Sequence, residues 1–382
     1  MTWLATTVFL LLLVALLAIG IAVRHFRRHR ALESTLGERR TDPVRYAFVV
    51  NPSKPHADEI KEHIRRFCED HGIYDILFID TLLDKDGYTC GREAIAAGAN
   101  VVVACGGDGT VRTVATAVAG TDCALGVIPI GTANLFARNL GIPVDDLDEA
   151  LRVVISHGSQ RVDMGYLTLM DSDEPQRRHG FLLISGIGFD AAMIDSTNPK
   201  LKKAIGWMAY FASAIRHLNA NRHHGTIVVR KADGTIVQST NALFHTFLIG
   251  NCGRIPVVSL MPQADYADGL LDFALLDAKA GLLGWTDLAN DLLYQTITGK
   301  PGGSPLTINS NIEEIQGVEA ELTLDKPALA EADGDVLGVT RHAHVGIDRQ
   351  ALLVRTPRGI PSLKNPIRIR HNSGETHQPM AQ

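Results

Sequence analysis

The run Val101-Val102-Val103-Ala104-Cys105, followed at once by Gly106-Gly107-Asp108-Gly109-Thr110 and then Val111, decides how this chain folds. An apolar run with no polar position cannot alternate between core and water, so it reads as a strand buried on both faces. The glycine-rich turn hands the chain to a helical stretch over Val111–Ala119. Backbone N–H groups in such a turn can close around a phosphate, because no side chain obstructs them. Glycine-rich turns also serve merely to reverse direction, so one alone is only moderately specific.

Outward from this point the pattern repeats. Tyr46–Val50, Asp75–Ile79 and Gly126–Ile130 read as strands, and Asp58–Asp70 and Gly91–Ala97 as helices, giving a βαβα succession and a parallel sheet covered on both faces. Parallel strands place the turns that follow them on one sheet edge, where ligands of such sheets bind. That edge would hold Asn51-Pro52-Ser53, the Gly106–Thr110 turn and a second turn, Gly131-Thr132-Ala133-Asn134. Beyond about residue 166 the texture changes to short alternating runs, Phe181–Ser185, Thr226–Arg230, Thr235–Gln238, Leu243–Ile249, Leu271–Leu276 and Val318–Leu324, which read as antiparallel strands. Lys231-Ala232-Asp233-Gly234 reads as a hairpin turn by its Asp-Gly chemistry. The stretch Pro199–Leu218 reads as a helix, serving either core packing or as a wall for a lipid tail.

Composition narrows the function. The chain has 382 residues, 46% of them hydrophobic, which is more than a single core usually organises, so two domains are expected. A net charge of −5 gives no global basic field, and no nucleic-acid partner is expected. Five cysteines lie scattered without metal-ligand or disulfide spacing. The P-loop, HExxH and GxSxG patterns are missing, so a nucleotide must be held in another way. Trp3–Val23 carries no charge and, at about 1.5 Å rise per residue, spans about 31 Å, which fits one bilayer crossing. The basic flank Arg24–Arg30 would then place the rest in the cytoplasm. A second basic cluster from Arg349 to Arg370 reads either as a contact for anionic lipid or as a solvated tail.

At this point the residues resemble a known family, the diacylglycerol kinase and sphingosine kinase-like lipid kinases, especially the bacterial members. The resemblance runs from about Tyr46 to Arg355. It rests on Asn51-Pro52, Gly106–Thr110, Pro129–Asn134 with Phe136-Ala137-Arg138, Asp163-Met164-Gly165, Asp268-Gly269-Leu270-Leu271-Asp272 and Asp333-Gly334-Asp335, in that order. It implies an α/β nucleotide-binding domain of the phosphofructokinase and NAD kinase type, followed by an antiparallel β-sandwich, with ATP and lipid meeting in the cleft.

The expected division is therefore a transmembrane anchor over 1–23, a basic linker over 24–40, an ATP-binding domain over 41–165, a lipid-binding domain over 166–360 whose last strand can return to the first domain, and a tail over 361–382. The resemblance further implies that Gly106, Gly107, Asp108, Gly109, Thr110, Gly131, Thr132, Asn134 and Thr81 contact ATP, with Asn51 lining the same pocket. Asp108 is assigned to orientation of nucleotide and Mg2+, since Mg2+ takes few carboxylates while bridging phosphates; an Asp favoured simply by turn geometry is the alternative. Asp265, Asp268 and Leu270 map to the family's Mg2+ loop, and Asp335 to the base that accepts the lipid hydroxyl's proton. Glu is commoner there, so with the shorter Asp either the loop sits closer or another residue is the base.

The leading expectation is a lipid kinase dependent on ATP and Mg2+, acting on diacylglycerol, a sphingoid base or another lipid alcohol. It would be a single-pass membrane protein with cytoplasmic catalytic domains, partnered by the bilayer and with homodimerisation open. A soluble-substrate kinase is the alternative, because the same glycine turn occurs in NAD kinases. A catalytically silent, membrane-tethered nucleotide-binding protein is the other.

Overall fold

The computed structural model describes residues 44–156, 158–189, 222–252, 261, 264–276 and 313–357. Four parallel strands, β1 (Tyr46–Val50), β2 (Ile76–Asp80), β3 (Val101–Gly106) and β4 (Ala124–Pro129), lie in the order β4-β3-β1-β2. Every residue of β1, β3 and β4 is buried, as apolar runs without alternation require. Register sets Val50 opposite both Asp80 and Cys105, and Gly106 opposite Pro129, so all four strands end level with one another.

The helices cover this sheet. They are α1 (Ala57–Asp70), α2 (Gly87–Ala96), α3 (Asp108–Val118), α4 (Leu135–Asn139) and α5 (Leu147–Ile155). Helix α3 buries Val111, Val114, Ala115 and Val118, one face at helical spacing. It starts three residues before the predicted Val111, because Gly107 takes an extended cap conformation and its carbonyl already accepts the Val111 N–H at 3.0 Å. The last three residues of the Gly106–Thr110 turn thus form the first turn of the helix.

The antiparallel strands are β5 (Ser159–Leu169), β6 (Arg178–Phe181), β7 (Ile184–Phe189), β8 (His223–Arg230), β9 (Ile236–Phe244), β10 (Thr246–Gly250), β11 (Leu271–Leu276), β12 (Glu313–Gly317), β13 (Glu319–Ala332) and β14 (Asp335–Arg355). They pack over a second core that includes Phe181, Ile187, Phe244, Phe247, Phe273, Leu322 and Val345. The expected Asp233-Gly234 hairpin joins β8 to β9, with Gly234 at φ 84°. Parallel and antiparallel strands share one continuous mixed sheet of 14 strands, because β14 pairs with β13 and β5 along its length and with β4 at its end, Leu353 opposite Ala124 and Val354 opposite Leu125.

The expected localisation needs correction. Among the described residues no helix is long and apolar enough to cross a membrane. The longest described helix, α1, has 14 residues and buries only Ala57, Ile64, Phe67 and Cys68, whereas a crossing takes about 20 apolar residues. The structure gives no support to a single-pass membrane protein with cytoplasmic catalytic domains, and that expectation is withdrawn. The apolar stretch 3–23, the basic linker, the predicted helix over 199–218 and the tail from 361 lie outside the described residues.

Candidate active site

The first glycine turn is fixed from below by the end of β1. Asn51 donates its backbone N–H to the Cys105 carbonyl at 3.1 Å and its Nδ2 to Thr110 Oγ1 at 3.4 Å, while its Oδ1 accepts the Ser53 N–H at 3.0 Å. Asn51 therefore ties the loop after β1 to the turn after β3. Thr81 lies at the end of β2, its N–H bonded to the Val50 carbonyl at 3.0 Å. A Cβ on Gly106 would collide with Thr110, so glycine is what lets the helix begin this close to the strand. The amides of Asp108, Gly109 and Thr110 occupy the first helical positions, where no intrahelical acceptor exists and the helix dipole is positive.

The second turn abuts the first. A Cβ on Gly131 would strike the Gly107 Cα, so the two backbones approach as only glycines allow. Asn134 shapes this turn from within: its Oδ1 accepts the Gly131 N–H at 3.0 Å, and its Nδ2 donates to the carbonyls of Pro129 at 3.1 Å and Gly131 at 2.8 Å. It sits buried in the left-handed region, φ 48°, which Asn tolerates. Asp108 joins the two turns, its Oδ1 accepting the Phe136 N–H at 3.2 Å. Burial pushes this carboxyl above its ordinary value, opposed by the amides of Phe136, Leu135 and Asn134. Its observed bonding is thus to the start of α4, and Thr132 lies in the turn so held.

Asp335 arrives from the far end of the sequence. A Cβ on Gly109 would lie 2.9 Å from Asp335 Oδ2, so this carboxylate stands over the first turn of α3. Arg112 Nη2 donates to the same oxygen at 2.9 Å; the Arg112 side chain is 9% exposed and that of Asp335 51%. The tight β13–β14 turn, with Asp333 at φ 47° and Gly334 at φ 85°, delivers Asp335 there. Asp333 anchors that turn by accepting the N–H groups of Leu182 at 2.8 Å, Leu183 at 2.9 Å and Ile184 at 3.1 Å. Glu331 accepts the Gly334 N–H at 2.7 Å. Burial pushes Asp333 up to about 6 and Glu331 up to about 8.

The third group of predicted residues forms a separate loop. Asp265 Oδ1 accepts the Ala267 N–H at 3.1 Å and Asp268 Oδ1 accepts the Leu270 N–H at 3.0 Å. Gly269, at φ 74°, donates to Asp163 Oδ2 at 2.7 Å and accepts from Arg349 Nε at 3.1 Å, while Asp163 Oδ1 takes the Gln350 N–H at 2.6 Å. These bonds anchor the loop to β5 and β14 and not to the glycine turns. Burial raises Asp163, against the amides of Gln350 and Gly269. Among the described residues no group of three or more His, Cys, Asp or Glu is disposed to hold a metal.

Sequence reasoning missed Arg112, Glu331, and Asp163 as a loop anchor. Only Arg112 carried a local signal, the one charge beyond the first turn of a helix whose remaining residues are uncharged. Beside α3 lies an open cleft of about 1020 Å3, lined among others by Arg112, Thr113, Thr116, Tyr166, His179 and Val336. Arg178 stacks on the Tyr166 ring at 3.5 Å and pairs with Asp348 at 2.8 Å on its wall.

Comparison with known proteins bears on the family and the fold. The diacylglycerol kinase catalytic domain family matches residues 45–167. A YegS-like candidate lipid kinase of Pseudomonas aeruginosa is 30% identical over 292 residues, 75% of this chain and 86% of the relative. The diacylglycerol kinase of Bacillus subtilis is 26% identical over 313 residues, 80% of this chain and 97% of the relative. The chain spans about half, 52%, of a longer uncharacterized protein of Synechocystis, at 28% identity. In three dimensions a crystal structure of a candidate diacylglycerol kinase from Bacillus anthracis superposes with a TM-score of 0.65 at 19% identity, covering 84% of this chain and 97% of the other, which establishes the common fold. The chain belongs to the diacylglycerol kinase catalytic family. It is a lipid kinase.

Proposed function

We propose that the protein transfers the γ-phosphoryl group of ATP, in the presence of Mg2+, to the hydroxyl of a membrane lipid such as diacylglycerol or a sphingoid base. The observation that carries this reading is the position of Asp335 over the first turn of α3. It sets a carboxylate beside the glycine turns best suited to hold the terminal phosphates. Phosphoryl transfer needs mainly positioning and charge neutralisation, plus a group to accept the alcohol proton.

The amides of Asp108, Gly109 and Thr110 would take phosphate oxygens, and contact between Gly107 and Gly131 leaves the edge free of side chains where a Cβ would fill it. Thr132 and Thr81 border the same edge. As the lipid oxygen bonds to the γ-phosphorus, the bond to the bridging oxygen breaks, ADP leaves, and Asp335 receives the hydroxyl proton. Arg112 holds that carboxylate in place through its Nη2 hydrogen bond. The close approach of the β13–β14 turn offsets the short reach of Asp335.

For Mg2+, Asp265, Asp268 and the Leu270 carbonyl supply two carboxylates and a neutral oxygen, a donor set that fits an ion keeping much of its water. Bound there, the ion would supply positive charge and order the loop. The cleft along α3, which begins at Arg112 and Val336 beside Asp335, is the site for the acceptor.

The test is to incubate the protein with ATP labelled in its γ-phosphoryl group, Mg2+ and a total lipid extract, and to search the lipids by mass spectrometry. A labelled phosphate monoester of a lipid alcohol is expected. Folded protein that binds ATP and labels no lipid would sink the proposal.

A further inference from the structure

The link from β6 to β7, Leu182-Leu183, and the first residue of β7, Ile184, are bonded through their backbones from two sides. On one side Asp333 gathers three consecutive amides, Oδ2 taking the Leu182 N–H and Oδ1 those of Leu183 and Ile184. Its own N–H donates to the Ile184 carbonyl at 2.9 Å. On the other side Asn251 Nδ2 donates to the Leu182 carbonyl at 3.0 Å, and the N–H groups of Asn251 and Cys252 donate to the Leu183 carbonyl at 2.8 Å and 3.1 Å. Arg112 is set against the end of β6 as well, its Nη1 donating to the Gly180 carbonyl at 3.4 Å. The turn that carries Asp335 and the arginine that meets it are therefore both held against the same junction.

Two features give this junction weight. Asn251 is fully buried, and among the described residues its Oδ1 has no hydrogen-bond donor, while its Nδ2 serves Leu182 and also the Asp163 carbonyl at 3.2 Å. An unsatisfied buried oxygen is costly, so packing alone does not explain an asparagine there. The second feature is the tightness of the turn. Asp333 at φ 47° and Gly334 at φ 85° reverse the chain within two residues, so a shift of the Asp333 carboxyl carries Asp335 with it. Movement of the base by about 1 Å is enough to cost about 100-fold in rate.

We propose that Asp333 is a positioning residue for the transfer: its carboxylate locks the β13–β14 turn onto the β6–β7 link, which Asn251 braces from behind, and so sets Asp335 over α3. This rests on the reading of Asp335 as the base and deepens it by naming what holds the base in place. Asp333 acts only through Asp335 and exchanges no proton during transfer.

The test compares wild type, Asp333→Asn, Asp335→Asn, the double variant and Asn251→Ser at about pH 8, above the value of about 6 to which burial raises Asp333. Lipid phosphorylation gives the turnover number and the Michaelis constant for ATP, each per molecule of folded protein. Asp333→Asn keeps the shape of the side chain but turns an NH2 group against at least one of the three amides. Turnover should fall about tenfold to a hundredfold with the Michaelis constant for ATP unchanged. In the Asp335→Asn background the same change should cost less than about twofold, since a residue acting through the base has nothing left to position. Asn251→Ser withdraws the Nδ2 donor from Leu182 and Asp163 and leaves the backbone bonds. It should lower turnover with the same unchanged Michaelis constant, and it decides the matter if Asp333→Asn does not fold. Wild-type turnover in folded Asp333→Asn, or in Asn251→Ser where Asp333→Asn does not fold, would overturn this assignment alone. So would losses at 333 and 335 that multiply in the double variant. Undiminished turnover in Asp335→Asn would overturn the choice of base and this assignment together.

Discussion

Glu331 offers a stability measurement that isolates one buried group. Its carboxyl accepts the Gly334 N–H, and Asp333, Arg112 and Asp335 are the charged groups around it. Burial raises it from an ordinary 4.5 to about 8, so the folded protein holds a proton that the unfolded chain has released through that interval. A raised value means stability that is complete below 4.5 and is lost as pH rises through about 8. At about 1.36 kcal/mol per pH unit the ceiling is about 5 kcal/mol, and partial contact of the side chain with solvent reduces this to about 2 kcal/mol. Glu331→Gln keeps an acceptor for Gly334 and removes the titration. Urea unfolding of both proteins between about pH 5 and pH 8.5 should show wild type losing about 2 kcal/mol relative to the variant, since every other group titrates in both. A difference between the two that stays flat with pH would refute the assignment of a protonated Glu331 in the folded state.

Other outcomes follow from the same geometry. Asp335→Asn should lower the turnover number by about 100-fold or more while ATP binding is retained, checked by lipid phosphorylation alongside nucleotide titration. Gly131→Ala forces a methyl into the Gly107 backbone; ATP affinity should drop about tenfold or more, measured by calorimetry, with the adenosine moiety binding unaltered. Asp163→Ala removes the acceptor of the Gly269 and Gln350 amides, so thermal stability should fall by about 2–4 kcal/mol in denaturant titrations and the loop around Asp268 should exchange its amide hydrogens faster.

The parallel strands and the glycine turns were legible because their cause is local. Val101–Gly106 must be buried on both faces, and Gly107 and Gly131 permit an approach that no other residue does. The start of α3 was placed late, since the glycines hide the helix signal although Gly107 already caps it. Asp108 shows what local chemistry leaves out: its Oδ1 accepts the Phe136 N–H at the start of α4, a contact that no local pattern announces. Arg112 and Asp335 stand 223 residues apart, and no spacing rule joins them.

Taken by itself, the sequence determined the βαβ order, the two glycine turns and the family, because periodicity and short motifs record local backbone requirements. Tertiary structure decided which charges meet there: the β13–β14 turn, anchored by Asp333, brings Asp335 over Gly109 and onto Arg112. Such meetings depend on how a twisted sheet closes on itself in space, and separation along the chain carries no measure of that distance.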